Sequence, residues 1–123
     1  MTENEIGRIV VDSAVSLHKA LGPGLLESAY EECLGIELGM RGVAFERQVE
    51  LPVVYKERPI DAKYRIDFVV GNVIALELKA VERILPIHEA QLLTYMRLGG
   101  YGTGLLLNFN VPVLKDGVRR LKL

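Results

Sequence analysis

Residues 66–79 read Ile66-Asp67-Phe68-Val69-Val70-Gly71-Asn72-Val73-Ile74-Ala75-Leu76-Glu77-Leu78-Lys79. Two runs rich in β-branched residues meet at Gly71-Asn72, the pattern of a hairpin. Side chains alternate across a strand, so Glu77 and Lys79 share one face while Ile74, Leu76 and Leu78 share the other. Asp67 lies ten residues before Glu77. The two carboxylates stand opposite each other only if Gly71 to Val73 forms a three-residue loop that brings Val70 against Ile74. A two-residue Gly-Asn turn pairs Asp67 with Leu76 instead, because a one-residue slip moves every side chain to the other face. The functional reading therefore requires the longer loop, with Gly71 or Asn72 at positive φ.

Working outward, Glu3 to Leu21 places Ile6, Ile9, Val10, Leu17 and Leu21 at helical spacing and stops at Gly22-Pro23-Gly24. A second helix is predicted from about Leu25 to Met40. Its apolar stripe is Leu26, Ala29, Tyr30, Cys33, Leu34 and Leu38, and Gly42 closes it. Val43 to Tyr55 reads as a strand with a bend or an edge at Pro52, and Lys56 to Pro59 as a turn. Ile60 to Val70 and Val73 to Ala80 are the hairpin strands. Pro86 introduces a helix from Ile87 to Leu98 that ends at Gly99-Gly100. Thr103 to Phe109 is an apolar strand, and Lys115-Asp116-Gly117 turns the chain into a last strand, Val118 to Leu121. A three-strand meander followed by a crossover helix implies an α/β fold, a mixed central sheet flanked by helices.

The chain has 123 residues, half of them hydrophobic and a quarter charged, which suits one globular domain spanning 1–123. No apolar run approaches the roughly 18 residues that span a bilayer. The start, MTENEIGRIV, lacks the basic-then-apolar layout of a signal peptide. The one cysteine, Cys33, excludes an internal disulfide and a cysteine-based zinc cluster and is expected to be buried on its helix. A cytoplasmic location is expected. The net charge of -1 argues against a broad electrostatic grip on nucleic acid, so such contact must rest on a local patch, on metal ions or on a partner.

Chemistry concentrates on the hairpin. Taken alone, Glu77 and Lys79 read as an exposed ion pair worth under about 1 kcal/mol, since a lone Glu-x-Lys is common. Asp67 beside Glu77 changes that, since two adjacent carboxylates form a hard-oxygen site suited to Mg²⁺ or Mn²⁺. Such a cation polarises a phosphodiester and acidifies a water, and Lys79 would orient that water or stabilise developing negative charge. His18 and His88 have no nucleophile partner at readable spacing. His18 would either cap its helix C-terminus or project into the cleft and touch phosphate. His88 and Glu89 are expected to be solvated. The basic residues are scattered, and Arg65, two residues from Asp67, is the best placed of them to meet a phosphate.

Asp67 followed by Glu77-Leu78-Lys79 resembles the PD-(D/E)XK nuclease signature, with Ile66 where the name has proline. Gly24-Leu25-Leu26-Glu27-Ser28-Ala29-Tyr30 is similar to the Gly-x-x-Glu-x-x-Tyr motif of the GxxExxY family, a branch of that superfamily. Leu76 to Ala80, Leu85 to Tyr95 and Asn108 to Pro112 read like it too. The resemblance implies a restriction-endonuclease-like αβββαβ core with an extra N-terminal helix. It implies that Glu27 helps Asp67 and Glu77 hold metal, in place of a surface glutamate merely favoured by a helix dipole. Tyr30, one turn on, reads as a packing or hydrogen-bonding prop. Gln91 and Tyr95 reproduce a Gln-x-x-x-Tyr pattern found after the lysine in the nuclease domains of bacterial recombination helicases. Gln91 would position groups around the reaction, and Tyr95 would meet substrate unless, like Leu92 and Met96, it is core.

The expectation is a Mg²⁺- or Mn²⁺-dependent endo- or exonuclease, with DNA favoured over RNA by the superfamily's habits and a homodimer plausible for so small a domain. The catalytic set is Glu27, Asp67, Glu77, Lys79 and Gln91, with Arg65, Tyr95 and His18 toward substrate. Two alternatives stay open: a catalytically silent nucleic-acid-binding or assembly module on the same fold, and a metal-dependent hydrolase of a nucleotide or another phosphoester.

Overall fold

A computed structural model describes all residues from Met1 to Leu123. Helix α1 (Glu3–Leu21) opens on a capping box in which Thr2 and Glu5 each accept or donate to the other's end. Helix α2 (Glu27–Met40) follows, then strand β1 (Phe45–Leu51). A small two-stranded arm, β2 (Val54–Tyr55) and β3 (Arg58–Pro59), interrupts the meander. Strands β4 (Tyr64–Val70) and β5 (Ile74–Lys79) lead to helix α3 (Pro86–Gly99), strand β6 (Thr103–Asn108), a 3₁₀ turn (Leu114–Gly117) and strand β7 (Val118–Lys122).

The five long strands form one mixed sheet in the order β1-β4-β5-β6-β7, antiparallel except for the β5–β6 pair. A crossover through α3 makes that parallel pair possible. Helices α1 and α2 cover one face, packing Ile6, Val10, Tyr30 and Leu34 with Phe68, Val70, Leu76 and Leu78. Helix α3 covers the other, packing Leu92 and Met96 with Ile66, Val69, Ala75 and Leu106. Burying a side chain of this size contributes about 1.5–3 kcal/mol, so two such layers account for the order of the sheet between them. This is the α/β sheet flanked by helices that the sequence implies, consistent with a restriction-endonuclease-like fold.

The hairpin takes the longer loop: Val70 faces Ile74, and Gly71 and Asn72 both have φ of 60°. Gly71 also lies against Ile6, whose Cδ1 stands 2.6 Å from where a Cβ would be.

Several details differ from the sequence expectation, beginning with β4, which starts at Tyr64 and leaves residues 60–63 outside the strand. Lys56–Pro59 is not only a turn, because Arg58 and Pro59 pair back on Tyr55 and Val54 while Lys56 and Glu57 make the bend at positive φ. The second helix starts two residues late, leaving Leu26 77% exposed rather than in the core stripe. Leu21, expected on the buried stripe of the first helix, is 42% exposed at its end. Cys33 is half-buried at the margin of the core rather than inside it.

Candidate active site

The β4–β5 ladder stops at Phe68 and Leu76. Beyond them the strands part, and two carboxylates take over the work of the backbone. The Glu77 Oε1 accepts the Asp67 N–H at 3.1 Å, and the Asp67 Oδ2 accepts the Leu78 N–H at 2.9 Å. Each acid thus satisfies a donor on the other's strand, and each donor would otherwise be orphaned inside the sheet. The alternation of β4 breaks here. Ile66 and Val69 both pack toward α3, whereas Phe68 and Val70 pack toward α1 and α2. Asp67 sits at the break and reaches across the fork.

Burial makes this pair electrostatically costly. Glu77 is only 9% exposed. Desolvation, reinforced by the neighbouring Asp67 charge, pushes its pKa up to about 8, against the pull of the Asp67 N–H and of Lys79. Desolvation also raises Asp67, with the charges of Glu31 and Glu27 adding to it while the Leu78 N–H and Gln48 oppose. Every ion pair of the chain lies elsewhere: Arg41–Glu37, Arg47 with Glu31 and Glu32, Arg65–Glu50, and Glu3 with Arg120 and Lys122. Two carboxylates side by side, Glu77 buried and Asp67 half-buried, are a site that a divalent cation would stabilise, and an all-oxygen donor set suits Mg²⁺ or Mn²⁺. The residues fit the group.

Glu27 is the first residue of α2 and is exposed. The segment around it is built to hold it there. Gly24 adopts φ of 99°, a conformation that disfavours other residues. The Tyr30 hydroxyl donates to the Gly22 carbonyl at 2.6 Å and accepts from the Leu25 N–H at 3.2 Å. The Tyr30 ring stacks on Phe109 at 4.5 Å. Glycine, glutamate and tyrosine at this spacing therefore form one device: a kinked loop, tied from below, that presents a carboxylate. Glu27 and Ala80 line one hollow of about 390 Å³, which puts the start of α2 at the exit of β5. The three carboxylates do not close on one another, and no three acidic, histidine or cysteine side chains of the chain form a group that could hold a metal ion. Glu27 stays in solvent at the start of α2, while Asp67 and Glu77 are fixed by their backbone hydrogen bonds.

Other predicted residues fall in varied places. Lys79 is half-buried at the end of β5, where its charge reaches Glu77. Gln91 is exposed on α3, and Tyr95 is half-buried one turn later. The two line a groove with Tyr64 rather than lying wholly in the core. Arg65 is exposed and meets Glu50 across β1 at 3.4 Å. His18 neither caps α1 through its side chain nor faces the fork. Its ring is buried, with Nε2 at 3.1 Å from the Phe109 carbonyl and 2.9 Å from that of Val111, so it pins the loop after β6. His88 is half-buried rather than solvated, and its Nδ1 accepts the Leu85 N–H at the start of α3.

Three residues escaped the sequence reading. The Gln48 amide donates to Glu31 at 2.6 Å and to Asp67 at 3.3 Å, from a backbone at φ of 51°. Glu31, one turn after Glu27 on the same helix face, is also gripped by Arg47 at 2.6 Å. That i, i+4 spacing from Glu27 was the available signal. Asn108 is buried and its amide pairs with both polar groups of the Val81 backbone, at 2.9 and 3.1 Å. It extends the β5–β6 pairing past Lys79 and fixes how the chain leaves the site.

The chain matches a family model of the PD-(D/E)XK nuclease superfamily over residues 4–121, nearly its whole length. The chain belongs to that superfamily. Its members are nuclease-type hydrolases of nucleic acid that generally use divalent metals. No curated protein and no solved structure shows significant similarity to it. No helix is long and apolar enough to cross a membrane.

Proposed function

We propose that the protein is a Mg²⁺- or Mn²⁺-dependent phosphodiesterase that cuts DNA in preference to RNA, a member of the GxxExxY branch working in the cytoplasm. Asp67 and Glu77 would hold the cation, with Glu27 at the start of α2 as a further ligand. When bound, the cation supplies the positive charge that draws electron density from the scissile phosphate and makes a water acidic. Lys79, at the mouth of the fork, orients the attacking water and stabilises charge on the phosphate oxygens. Gln91 offers both a donor and an acceptor to the water or to a phosphate oxygen. Tyr95 contacts substrate beside it. Arg65 is available to phosphate once its weak, exposed pairing with Glu50 opens. His18 acts at one remove, through the loop that its ring pins. A homodimer would double the small contact surface of one chain.

The reading rests on one observation, the Asp67–Glu77 carboxylate pair in the split between β4 and β5, neither member of which takes part in a salt bridge. Both carboxylates also accept backbone N–H groups across the fork, a structural service that a module without catalysis would keep as well. The separation of Glu27 from the pair favours the silent-module alternative, so activity is the deciding assay. With Mn²⁺, the protein should cleave single- or double-stranded DNA faster than RNA, and Asp67→Asn and Lys79→Ala should each abolish cleavage. Equal cleavage by both variants would assign the activity elsewhere.

A further inference from the structure

A groove of about 430 Å³ runs between α3 and the start of β4, lined by Val53, Tyr64, Ile87, Gln91, Thr94 and Tyr95 among others. Its chemistry is amphipathic in a particular way. The Tyr64 and Tyr95 rings stand 5.8 Å apart and tilted by 41°, so they form a notch rather than a stack. Tyr64 and Ile87 are 44% and 56% exposed, large apolar surfaces left open to solvent. Gln91 and Thr94 add an amide and a hydroxyl along the same side of α3. Aromatic and apolar walls with a few polar edge groups match a planar, heteroaromatic ligand.

The groove adjoins the acidic fork through Tyr95. Tyr95 packs against the layer of Ile66, Val69 and Ala75 that flanks Asp67 and Glu77 along β4 and β5, and Tyr64 stands three residues before Asp67 on β4. The arginines of β1 and β4 are engaged by glutamates, Arg47 by Glu31 and Glu32 and Arg65 only weakly by Glu50. With a net charge of -1, affinity for a polyanion must come from contacts other than counterion release. Base stacking is such a contact, because every base has an apolar face.

We propose that this groove is a stacking subsite for an unpaired nucleobase, with Tyr64 as the platform, so that the preferred substrate is single-stranded nucleic acid. This rests on the nuclease reading for its placement, since a base seated on Tyr64 leaves its neighbouring phosphate toward Asp67 and Glu77. A base within a duplex has its faces covered by its neighbours and cannot enter the notch without unstacking.

The test is fluorescence anisotropy in Ca²⁺ with a labelled dT12 strand, a 12-base-pair duplex and an abasic strand of equal length. The full chain should bind dT12 at least ~10-fold more tightly than either competitor, given the usual strength of base–aromatic stacking. Tyr64→Ala should weaken dT12 binding by roughly 5- to 100-fold, and Tyr64→Phe should restore it. Tyr64 is exposed, and an unchanged circular dichroism spectrum checks that the alanine variant is folded. Equal affinity for dT12 and the abasic strand, no loss in Tyr64→Ala, or a dimer that Tyr64→Ala dissolves would each overturn the proposal. Failure of the nuclease reading looks different. Tyr64-dependent binding without any Mn²⁺ cleavage keeps the subsite and removes the nuclease, whereas duplex cleavage indifferent to Tyr64→Ala does the reverse.

Discussion

The carboxylates of Asp67 and Glu77 each close a hydrogen bond onto the other residue's strand, at 2.9 Å to the Leu78 N–H and 3.1 Å to the Asp67 N–H. The same atoms proposed to hold a cation therefore also end the β4–β5 ladder. Structure and site are coupled through these two side chains, and the coupling has consequences for stability.

The first concerns pH. The Glu77 pKa is about 8 in the folded protein, against an ordinary 4.5. Between those values the native state holds a proton that the unfolded state has released, so stability falls as pH rises and levels off above 8. Asp67 is shifted in the same direction and adds to the slope. In metal-free buffer, the urea midpoint should be lower at pH 8.5 than at pH 5.5. Glu77→Gln, which cannot ionise, should flatten most of that difference. A midpoint that rises with pH would contradict the burial of an unpaired Glu77.

Tyr30 makes the second test. Tyr30→Phe keeps the stack on Phe109 but removes the bonds to Gly22 and Leu25. Two lost hydrogen bonds should cost about 1–3 kcal/mol by urea denaturation. If the loop serves to present Glu27, the variant should also lower cleavage at saturating Mn²⁺ while still fully folded. Unchanged cleavage would reduce Tyr30 to a packing residue.

Gln48 carries a backbone cost that its side chain offsets. At φ of 51° glycine is comfortable and alanine is not. Gln48→Gly and Gln48→Ala lose the same bridge between Glu31 and Asp67. The glycine variant should nonetheless be more stable than the alanine variant by about 1 kcal/mol, measured by thermal or urea unfolding. Equal stabilities would mean that β1 relaxes at this point.

These residues also mark what the sequence made legible. The alternation in Ile74 to Lys79 specified the strand faces and Gly71-Asn72 the hairpin, because strand period and positive φ are local properties. The loop length, by contrast, was chosen by the requirement that Asp67 meet Glu77. That register brings Asp67 and Glu77 near each other, but the parting of the strands beyond Phe68 and Leu76 and the break in β4 at Asp67 were not legible. The arm at Val54 to Pro59 was hidden because its bend uses Lys56 and Glu57 at positive φ, where neither glycine nor asparagine gives notice. Leu26 looked like core since periodicity cannot report that Tyr30 ties the preceding loop outward. Gln48 and Asn108 act through partners 19 and 27 residues away, and His18 through carbonyls more than 90 residues away. Such contacts depend on the finished sheet, not on spacing.

The central claim is that Asp67 and Glu77 share a divalent ion. Calorimetric titration of Mn²⁺ into the metal-free protein at pH 8 tests it without reference to activity. The account predicts saturable binding near one or two ions per chain, lost in Asp67→Asn and in Glu77→Gln, and weaker in Glu27→Gln. Absence of binding to the unaltered protein, or binding unchanged in Asp67→Asn, would contradict it.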